Sequence, residues 1–286
     1  MRIRTMSTQL FCITSLITLA LACVEPLDAD TVPQDDTNVT TQPIINGVSA
    51  GAMAKSVQGV MLRQSGSSLG GYCGSVYLGT NAQGQAWAAT AAHCVDALQS
   101  SHRFGFGGLN ISAYNTSNTV GWTQIVSHPG WDSSALVNDI AVVRLDAAPQ
   151  NASPIALANN GTDASAGETV MISGYGFDTQ PAWWCYLFGI GCPPTPDELL
   201  EADTTVLSTA ECRQTFNGVL DTHICVEDTP GGQGACNGDS GGPMFRTNGT
   251  VIGLTSYGVG GCSPQNPSVY TRISAFRQWI ADTTGI

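Results

Sequence analysis

The sequence predicts an all-β fold, and three observations lead to that prediction. Short runs rich in β-branched and apolar residues recur from residue 44 onward, clusters of Gly, Asn, Ser and Pro separate them, and the chain contains 33 Gly and 14 Pro to form turns. This spacing is typical of antiparallel sandwiches and barrels. The predicted strands are Val57–Leu62, Ser75–Leu78, Ile140–Leu145, Thr169–Ser173, Thr204–Leu207 and Val251–Thr255.

One helix is predicted near the end of the chain. Phe276, Trp279 and Ile280 fall on one helical face, and Ser274 is a suitable N-cap. No internal repeat, heptad pattern or linker interrupts the sequence between residues 44 and 286, so we expect one domain there.

The N-terminal residues have the order of an export signal. Two Arg within the first four positions precede an apolar run, Leu10–Ala22, that ends in small residues and is too short to span a bilayer comfortably. We expect residues 1–22 to be a signal peptide and the protein to be secreted. A second interpretation stays open, because residues 19–23 also resemble the lipobox of bacterial lipoproteins, with Ala20 where that motif usually has Leu. A lipid on Cys23 would then anchor the protein to the cell envelope, its only expected contact with a membrane.

Residues 23–43 are predicted to be an acidic, disordered pro-segment or tether, because they carry five acidic residues and no core-forming period. The net charge is −12 for the whole chain and −9 for the part after residue 43. Such a charge argues against nucleic acid or an anionic membrane as an electrostatic partner.

The cysteine content predicts disulfide bonds. Cys12 and Cys23 precede the predicted domain, which leaves eight of the ten cysteines inside it. An even number in an exported chain favours disulfides over zinc, and no Cys-x-x-Cys or His-x-x-x-His cluster occurs. We therefore expect no metal and no cofactor, while composition leaves the pairing open.

The clearest chemical signal is the Gly-Asp-Ser-Gly-Gly-Pro string that begins at Gly238. Glycines on both sides of Ser240 let the backbone turn sharply, expose the hydroxyl and bring amide N–H groups together. Two interpretations compete at this point. The string fits a glycine-rich β-turn, and it also satisfies the Gly-x-Ser-x-Gly nucleophile elbow of α/β-hydrolases.

Chain order separates the classes of serine hydrolase. An α/β-hydrolase places its His after the Ser, but the four histidines, at positions 93, 102, 128 and 223, all precede Ser240. The subtilisin order needs an Asp before the His, and residues 44–92 contain no Asp or Glu. For His93, only the order His, Asp, Ser remains.

His93 and Asp139 are the best candidates for the other two groups. His93 ends an apolar segment predicted to be a strand, whereas His102, His128 and His223 lie in polar, loop-like sequence and are predicted to be at the surface. Asp139 directly precedes a buried apolar run, so its carboxylate needs a partner. Asp132 is a competing acid in more polar surroundings. The alternative roles are a buried histidine bonded to a backbone carbonyl and an Asp that ends a turn.

These segments together resemble the signatures of the chymotrypsin/trypsin family. The matching segments are Thr90-Ala91-Ala92-His93-Cys94, Asn138-Asp139-Ile140-Ala141, Gly238-Asp239-Ser240-Gly241-Gly242-Pro243 and an N-terminal Ile44-Ile45-Asn46-Gly47, and the likeness covers about residues 44–286. The resemblance implies two antiparallel six-stranded Greek-key β-barrels with a C-terminal helix. It also implies a monomeric serine endopeptidase that acts on polypeptide substrates.

The resemblance assigns roles to particular residues. Ser240 would be the nucleophile, His93 the base, Asp139 the group that orients His93, and the N–H groups of Gly238 and Ser240 the oxyanion hole. The implied disulfides are Cys73–Cys94, Cys212–Cys225, Cys236–Cys262 and, in an extra loop, Cys185–Cys192.

The implied specificity pocket departs from that of trypsin. Gly234 and Ala235 occupy the base, where trypsin-like members carry an Asp, so a buried Arg or Lys side chain would lack a counter-charge. Gly258 has no side chain that could block the entrance of the pocket. Ser268 stands where the family usually has a Gly in the pocket wall, so its side chain should narrow the pocket. The remaining predicted pocket residues are Ser256 and Tyr257. We expect an apolar P1 residue, medium aliphatic or aromatic.

The sequence also carries expectations about maturation, about a calcium loop and about a binding surface outside the active site. In the family, the freed ammonium of Ile44 would pair with Asp239, but Pro43 stands where Arg or Lys is usual, so another protease or another route of maturation is expected. No carboxylate occurs between Ala97 and Trp131, so the calcium loop of some relatives is expected to be absent. The aromatic segment 183–188 is either a cover for the barrel or an exosite. The alternative to an enzyme is an inactive homologue that binds proteins.

Overall fold

The computed structural model describes residues 44–286 except 67, 97, 180, 183–184, 186–190, 228–231, 260–261 and 263–265. The predicted signal peptide, Cys23, the acidic segment and most of the aromatic segment 183–188 lie outside the described residues. None of the helices in the described part is both long and apolar enough to cross a membrane.

Thirteen strands and five helical segments make up the described body. The strands are β1 (Val48–Ser49), β2 (Gly59–Ser65), β3 (Ser68–Thr80), β4 (Ala86–Thr90), β5 (Arg103–Phe106), β6 (Trp122–Ser127), β7 (Ala141–Leu145), β8 (Thr169–Gly174), β9 (Leu200–Leu207), β10 (His223–Glu227), β11 (Pro243–Phe245), β12 (Val251–Gly258) and β13 (Ser268–Arg272). The α-helices are α1 (Ala52–Val57), α2 (Ala92–Val95), α3 (Thr209–Thr215) and α4 (Ile273–Thr284), with a 3₁₀ turn at Ile111–Ala113.

The strands form two antiparallel sheets, so the predicted all-β class is confirmed. In the first sheet the order is β5-β2-β3-β4-β7-β6, and a bridge between Phe104 and Val120 joins β5 to the segment before β6. In the second sheet the order is β9-β10-β13-β12-β11-β8, and pairing of β8 with β9 closes the ring. The short strand β1 adds to the outside of β9 as a seventh strand.

Alternating burial explains why these segments form barrels. In β9 the residues at every second position are buried, and they face a core that includes Val170, Ile224 and Tyr270. Strand β4 is buried along its whole length because it packs in the middle of the first sheet with small Ala side chains. The apolar face of α4 is confirmed, since Phe276 and Ile280 are buried.

Two local expectations are wrong. Ser274 does not cap α4, because the helix begins at Ile273 with Arg272 as its N-cap residue, and Ser274 is buried in the first turn. His93 does not end a strand, because β4 stops at Thr90 and His93 lies on the single turn α2.

Four disulfides link the described residues, so the prediction of disulfide bonds is confirmed. They join Cys73 to Cys94, Cys185 to Cys192, Cys212 to Cys225 and Cys236 to Cys262, which are the pairs that the family resemblance implies. The first ties β3 to the turn that carries His93.

Glycine contacts bring β3 of the first sheet against the loop that carries Ser240. The N–H of Gly74 donates to the carbonyl of Ser240 at 2.7 Å. A Cβ atom on Gly74 would lie 2.4 Å from Cα of Gly242, a distance that real side chains do not tolerate. Only glycine allows this approach, which fixes the position of the Ser240 loop against the first sheet.

Candidate active site

A fully buried carboxylate and a partly exposed imidazole meet between the two sheets. Asp139 is 0 % exposed, and its Oδ2 lies 2.7 Å from Nδ1 of His93. The backbone N–H of His93 donates to Oδ1 at 3.0 Å, and the hydroxyl of Ser256 donates to Oδ2 at 2.6 Å. Three donors satisfy this carboxylate, as burial of a charge requires. A carboxylate on Nδ1 leaves the proton-accepting role to Nε2 of the ring.

Strand pairing explains why the two residues meet. Strands β4 and β7 are antiparallel neighbours in which Thr90 pairs with Ala141, so the residues after β4 and those before β7 lie at one end of the sheet. His93 follows β4 by three residues and Asp139 precedes β7 by two. The hydroxyl of Thr271 on β13 donates to the carbonyl of Asp139 at 2.8 Å, so the second sheet helps to hold this end.

Ser240 lies in the loop between Cys236 and β11, beside the turn that carries His93. Its carbonyl O lies 3.5 Å from Sγ of Cys94, the neighbour of His93. The Ser240 residue is partly exposed. Among the hydrogen bonds of the described residues, none joins the Ser240 hydroxyl to His93. Such bonds are often long in the absence of substrate.

The glycines around Ser240 adopt backbone conformations that other residues disfavour. Gly238 has φ +103° and Gly241 has φ +76°. Within the described part of the chain, neither the N–H of Gly238 nor that of Ser240 donates a hydrogen bond. Two free amide donors on a fixed loop can bind a carbonyl oxygen that gains negative charge.

Asp239, the residue before Ser240, is completely buried. Its carboxylate accepts the N–H of Gly176 and the N–H of Cys236, both at 2.8 Å. Burial raises the pKa of Asp239 to about 7, and the two amide bonds offset only part of that effect. A Cβ on Gly174 would lie 1.8 Å from Oδ1 of Asp239, so the Gly-Tyr-Gly segment from Gly174 clears space for this carboxylate.

The first described residues pack into the second sheet. Ile44 is 0 % exposed and belongs to the core of that sheet. Ile45 forms an antiparallel bridge with Gly234, with its N–H donating to the carbonyl of Gly234 at 2.9 Å. The sequence-predicted N-terminus and the predicted base of the pocket are therefore direct neighbours.

The remaining predicted pocket residues lie on paired strands. Gly258 of β12 is opposite Ser268 of β13, and a Cβ on Gly258 would lie 3.7 Å from the hydroxyl of Ser268. Gly234 is buried, Ala235 and Tyr257 are partly exposed, and Gly258 is exposed. Ser256, predicted to bind substrate, has its hydroxyl committed to Asp139.

The predictions for two other histidines are wrong. His102 is 3 % exposed and His223 is 2 % exposed, because both side chains fold inward from their polar segments. His102 bonds to the backbone of Gln99, and desolvation lowers its pKa. His128 is partly exposed and packs edge-on against Phe276 and Trp279. Desolvation lowers the pKa of His128 as well.

The competing acid, Asp132, does not reach His93. It is exposed and accepts hydrogen bonds from Ser134 and Ala135 in its own loop, and these bonds lower its pKa. Sequence reasoning missed Thr271 and Gly74, since both act through pairing between distant strands and neither lies in a recognisable motif.

One group of potential metal ligands occurs in the described residues. The ligand atoms of Cys73, His93 and Cys94 lie within 4.8 Å of one another. The two cysteines form a disulfide, which removes both thiolates, and the ring of His93 is already bonded to Asp139. This donor set does not suit a metal.

Comparison with known proteins agrees with this arrangement. The chain matches the trypsin family over residues 44–280. It is 35 % identical over 208 residues to brachyurin of Leptuca pugilator, covering 70 % of this chain and 84 % of the relative. It is 35 % identical over 240 residues to fibrinolytic enzyme, isozyme C, of Lumbricus rubellus, covering 78 % and 92 %.

A third relative extends the match. The chain is 32 % identical over 255 residues to a chymotrypsin-like serine proteinase of Haliotis rufescens, covering 83 % of this chain and 90 % of that protein. The family predicted from the short motifs is confirmed by these matches. The chain belongs to the trypsin family and is a serine endopeptidase.

Proposed function

We propose that Ser240, His93 and Asp139 carry out peptide hydrolysis through an acyl-enzyme. Ser240 Oγ attacks the scissile carbonyl while Nε2 of His93 accepts its proton and later returns it to the leaving amine. Asp139 holds the proton on Nδ1 of His93 and stabilises the imidazolium ion that forms. The observation that carries the proposal is the 2.7 Å contact between Nδ1 of His93 and the fully buried carboxylate of Asp139.

The amides of Gly238 and Ser240 serve as the oxyanion hole in this proposal. Both are free of internal acceptors within the described residues, and the positive φ of Gly238 orients its peptide group. One such donor typically contributes about 3 kcal/mol to transition-state stabilisation. The alternative, an inactive homologue that binds proteins, leaves these two donors and the His93–Asp139 contact without a role.

The decisive variant is Ser240→Ala. We expect loss of peptide hydrolysis by about 10⁶-fold, because the nucleophile is removed, and loss of labelling by a fluorophosphonate. The matched control is Ser134→Ala, an exposed serine whose loss should leave both readouts unchanged. Turnover of peptide by Ser240→Ala at the wild-type rate would disprove the assignment of Ser240 as the nucleophile. Failure of the wild-type protein to cleave any peptide would instead favour the binding-protein alternative.

We also propose that the enzyme cleaves after apolar residues. Gly234 is buried and Ala235 is apolar, so a cationic P1 side chain would meet no opposite charge there. Ser268 is opposite Gly258 across the strand pair and reduces the width available. We therefore expect a medium aliphatic or aromatic P1 residue.

A peptide library that varies only P1 tests this specificity. Cleavage after Leu or Phe should exceed cleavage after Arg by at least about 100-fold, because an unpaired buried charge costs several kcal/mol. Gly234→Asp should shift the preference toward Arg and Lys, since it supplies the missing carboxylate. Faster wild-type cleavage after Arg would contradict the proposal.

Export and maturation complete the proposal. Residues 1–22 act as the signal, residues 23–43 are lost or remain as a tether, and residues 44–286 form the peptidase domain. Cleavage after Pro43 would free the ammonium of Ile44 to pair with buried Asp239, and a second protease would make that cut. N-terminal sequencing of active protein should read Ile-Ile-Asn-Gly. A lipid on Cys23 would instead appear as a mass increase on a retained N-terminal segment.

A further inference from the structure

Asn237 and Gly238 are the central residues of the turn that precedes Asp239. The N–H of Asp239 donates to the carbonyl of Cys236 at 3.0 Å and closes this turn. Gly238 has φ +103°, and a Cβ atom there would lie 2.8 Å from Cα of Gly176, so the position must remain glycine. The turn therefore presents an Asn-Gly pair whose second residue cannot be exchanged.

An asparagine followed by glycine carries the groups for a reaction within the main chain. The backbone nitrogen of the glycine can attack the side-chain carbonyl carbon of the asparagine, and the missing Cβ leaves its path open. A C–N bond forms, the bond from this carbon to the side-chain nitrogen breaks, and ammonia leaves with the proton of the former N–H. The product is a succinimide ring, which water opens to aspartate or to isoaspartate.

Five Asn-Gly pairs occur in the chain, and hydrogen bonds divide them into two groups. Three of the glycines donate their N–H to an acceptor 2.6 to 2.9 Å away, and these are Gly47, Gly161 and Gly249. In the part of the chain that the structure describes, the N–H groups of Gly218 and Gly238 have no acceptor. A free N–H group is available for attack, whereas a bonded one must first give up its acceptor.

The side chain of Asn237 is also unbound. Asn237 is exposed, and none of the hydrogen bonds of the described residues involves its side-chain amide. The carbonyl of its peptide group with Gly238 accepts the N–H of Phe177 at 2.9 Å, so the trans N–H of that group points the opposite way. A bond accepted at the carbonyl polarises the peptide group and favours loss of the N–H proton, which the attack requires.

The place of this pair determines what the reaction does to the enzyme. In the proposed function, the N–H of Gly238 is one of two donors to the oxyanion. A succinimide at Asn237 leaves that nitrogen without a hydrogen, and isoaspartate lengthens the main chain before it by one methylene group. Aspartate keeps both the N–H and the length of the main chain, and adds only a charge.

We propose that Asn237 is a site of spontaneous deamidation at which the attacking nitrogen is itself the oxyanion donor, so that succinimide and isoaspartate inactivate the enzyme. The effect on activity rests on the proposed function, whereas the modification requires no catalysis by Ser240. Loss of one oxyanion donor lowers kcat about 10²–10³-fold. The activity of an aged sample should therefore fall in proportion to the succinimide and isoaspartate at Asn237.

The modification is measured in the full chain with Ser240→Ala, which removes the nucleophile and prevents self-digestion. After incubation at mildly alkaline pH, peptide mapping by mass spectrometry gives the extent of deamidation at each pair. Asn237 and Asn217, an exposed residue in the loop between α3 and β10, should react at least about tenfold faster than the residues whose glycine N–H is bonded. An intact Asn237 in a sample in which Asn217 has reacted would overturn the proposal.

The effect on activity is tested with two matched variants of the active protein, measured per intact molecule. Asn237→Gln keeps a side-chain amide but must close a larger ring, so it should begin within about threefold of wild-type kcat/KM and then lose no activity. Asn217→Gln is the control and should lose activity at the wild-type rate. Equal rates of loss in Asn237→Gln and wild type would show that this site does not inactivate the enzyme.

Asn237→Asp separates the added charge from the change in the main chain. This variant carries the aspartate product from the start and keeps the N–H of Gly238. Because an exposed charge is screened by water, kcat/KM of freshly prepared protein should fall less than about tenfold. A fall of about 10²-fold or more would contradict the role given to the N–H group.

Occupation of the oxyanion site should protect Asn237. The phosphoryl oxygen of a fluorophosphonate bound to Ser240 accepts the N–H of Gly238, which should slow deamidation of Asn237 at least about tenfold and leave Asn217 unchanged. Equal deamidation of Asn237 in labelled and unlabelled protein would contradict the inference. Failure of wild type to cleave peptide or to be labelled contradicts the proposed function instead, and the peptide map of Ser240→Ala still tests the modification.

Discussion

Two buried aspartates of this enzyme, Asp139 and Asp239, are equally inaccessible to water but have different partners. The Asp139 carboxylate has three donors, of which one is a ring that can become a cation. The Asp239 carboxylate has two backbone amides, and burial raises its pKa to about 7. Backbone amides only partly replace the water that would solvate a full charge. The charged form of a buried carboxylate is therefore unfavourable when amides are its only partners.

The contrast suggests different roles for the two groups. The surroundings of Asp139 are complete in the uncut chain, so it can orient His93 at once. Asp239 lies in the loop that carries the free amides of Gly238 and Ser240, and it still needs a cation. Under the proposed maturation, cleavage before Ile44 would supply an ammonium group. The buried carboxylate of Asp239 is suited to form an ion pair with it.

Among the variants that test this comparison of the two aspartates, Asp139→Asn should have the largest effect. An amide at this position leaves the geometry intact but favours the wrong tautomer of His93, and in the Ser-His-Asp arrangement this change lowers kcat about 10⁴-fold. The exposed neighbour Asp132 provides the control, since Asp132→Asn should keep wild-type kcat/KM. Activity of Asp139→Asn within tenfold of wild type would show that the carboxylate does not orient the ring.

Asp239→Asn should change stability in a pH-dependent way. Asp239 has a folded pKa of about 7 against 3.8 when unperturbed, so the folded state binds more protons between these values. Its contribution to the free energy of unfolding therefore falls as the pH rises from about 4 to about 7. In the uncut chain, the melting temperature of the variant relative to wild type should rise by at least ~5 °C between pH 4 and pH 8, because only the wild type loses stability over this range.

The processed protein provides the control for that prediction. Once the ammonium of Ile44 is free to pair with Asp239, removal of the carboxylate should destabilise the protein and lower activity about 10²–10³-fold, as expected for a disordered oxyanion loop. A stability difference in the uncut chain that does not change with pH would show that Asp239 is not held by burial as described.

The smallest of these effects is expected from Ser256→Ala. It removes one of three donors to Asp139 and should lower kcat/KM about tenfold. Ser173→Ala is the matched control, because Ser173 is a buried serine whose hydroxyl bonds to Gln58. Equal activity losses in both variants would assign Ser256 a purely structural role.

The sequence was sufficient where the chemistry is local. The Gly-Asp-Ser-Gly-Gly string, the apolar run after Asp139 and the order of residues indicated the family, and the family matches confirm it. Alternating β-rich runs were enough for the all-β class, although strand ends moved by several residues. For example, β2 begins at Gly59, because Val57 completes α1.

The remaining features depend on contacts between distant strands. Composition placed His102 and His223 at the surface, because polar neighbours in sequence say nothing about which way a side chain turns. Thr271 contacts Asp139 across 132 positions of the chain, and Gly74 contacts the Ser240 loop across an even longer stretch of sequence. Neither position has a local pattern that would reveal it before the sheets are assembled.

Gly74 has a consequence for anyone who wishes to redesign this enzyme. The backbone there touches Gly242 so closely that even one methyl group would wedge the first sheet away from the loop behind it. Libraries that randomise β3 should therefore keep this codon fixed and vary its outward-facing neighbours. Because position 74 must remain glycine, strand β3 can be altered only to a limited extent while the protein still cuts its substrates.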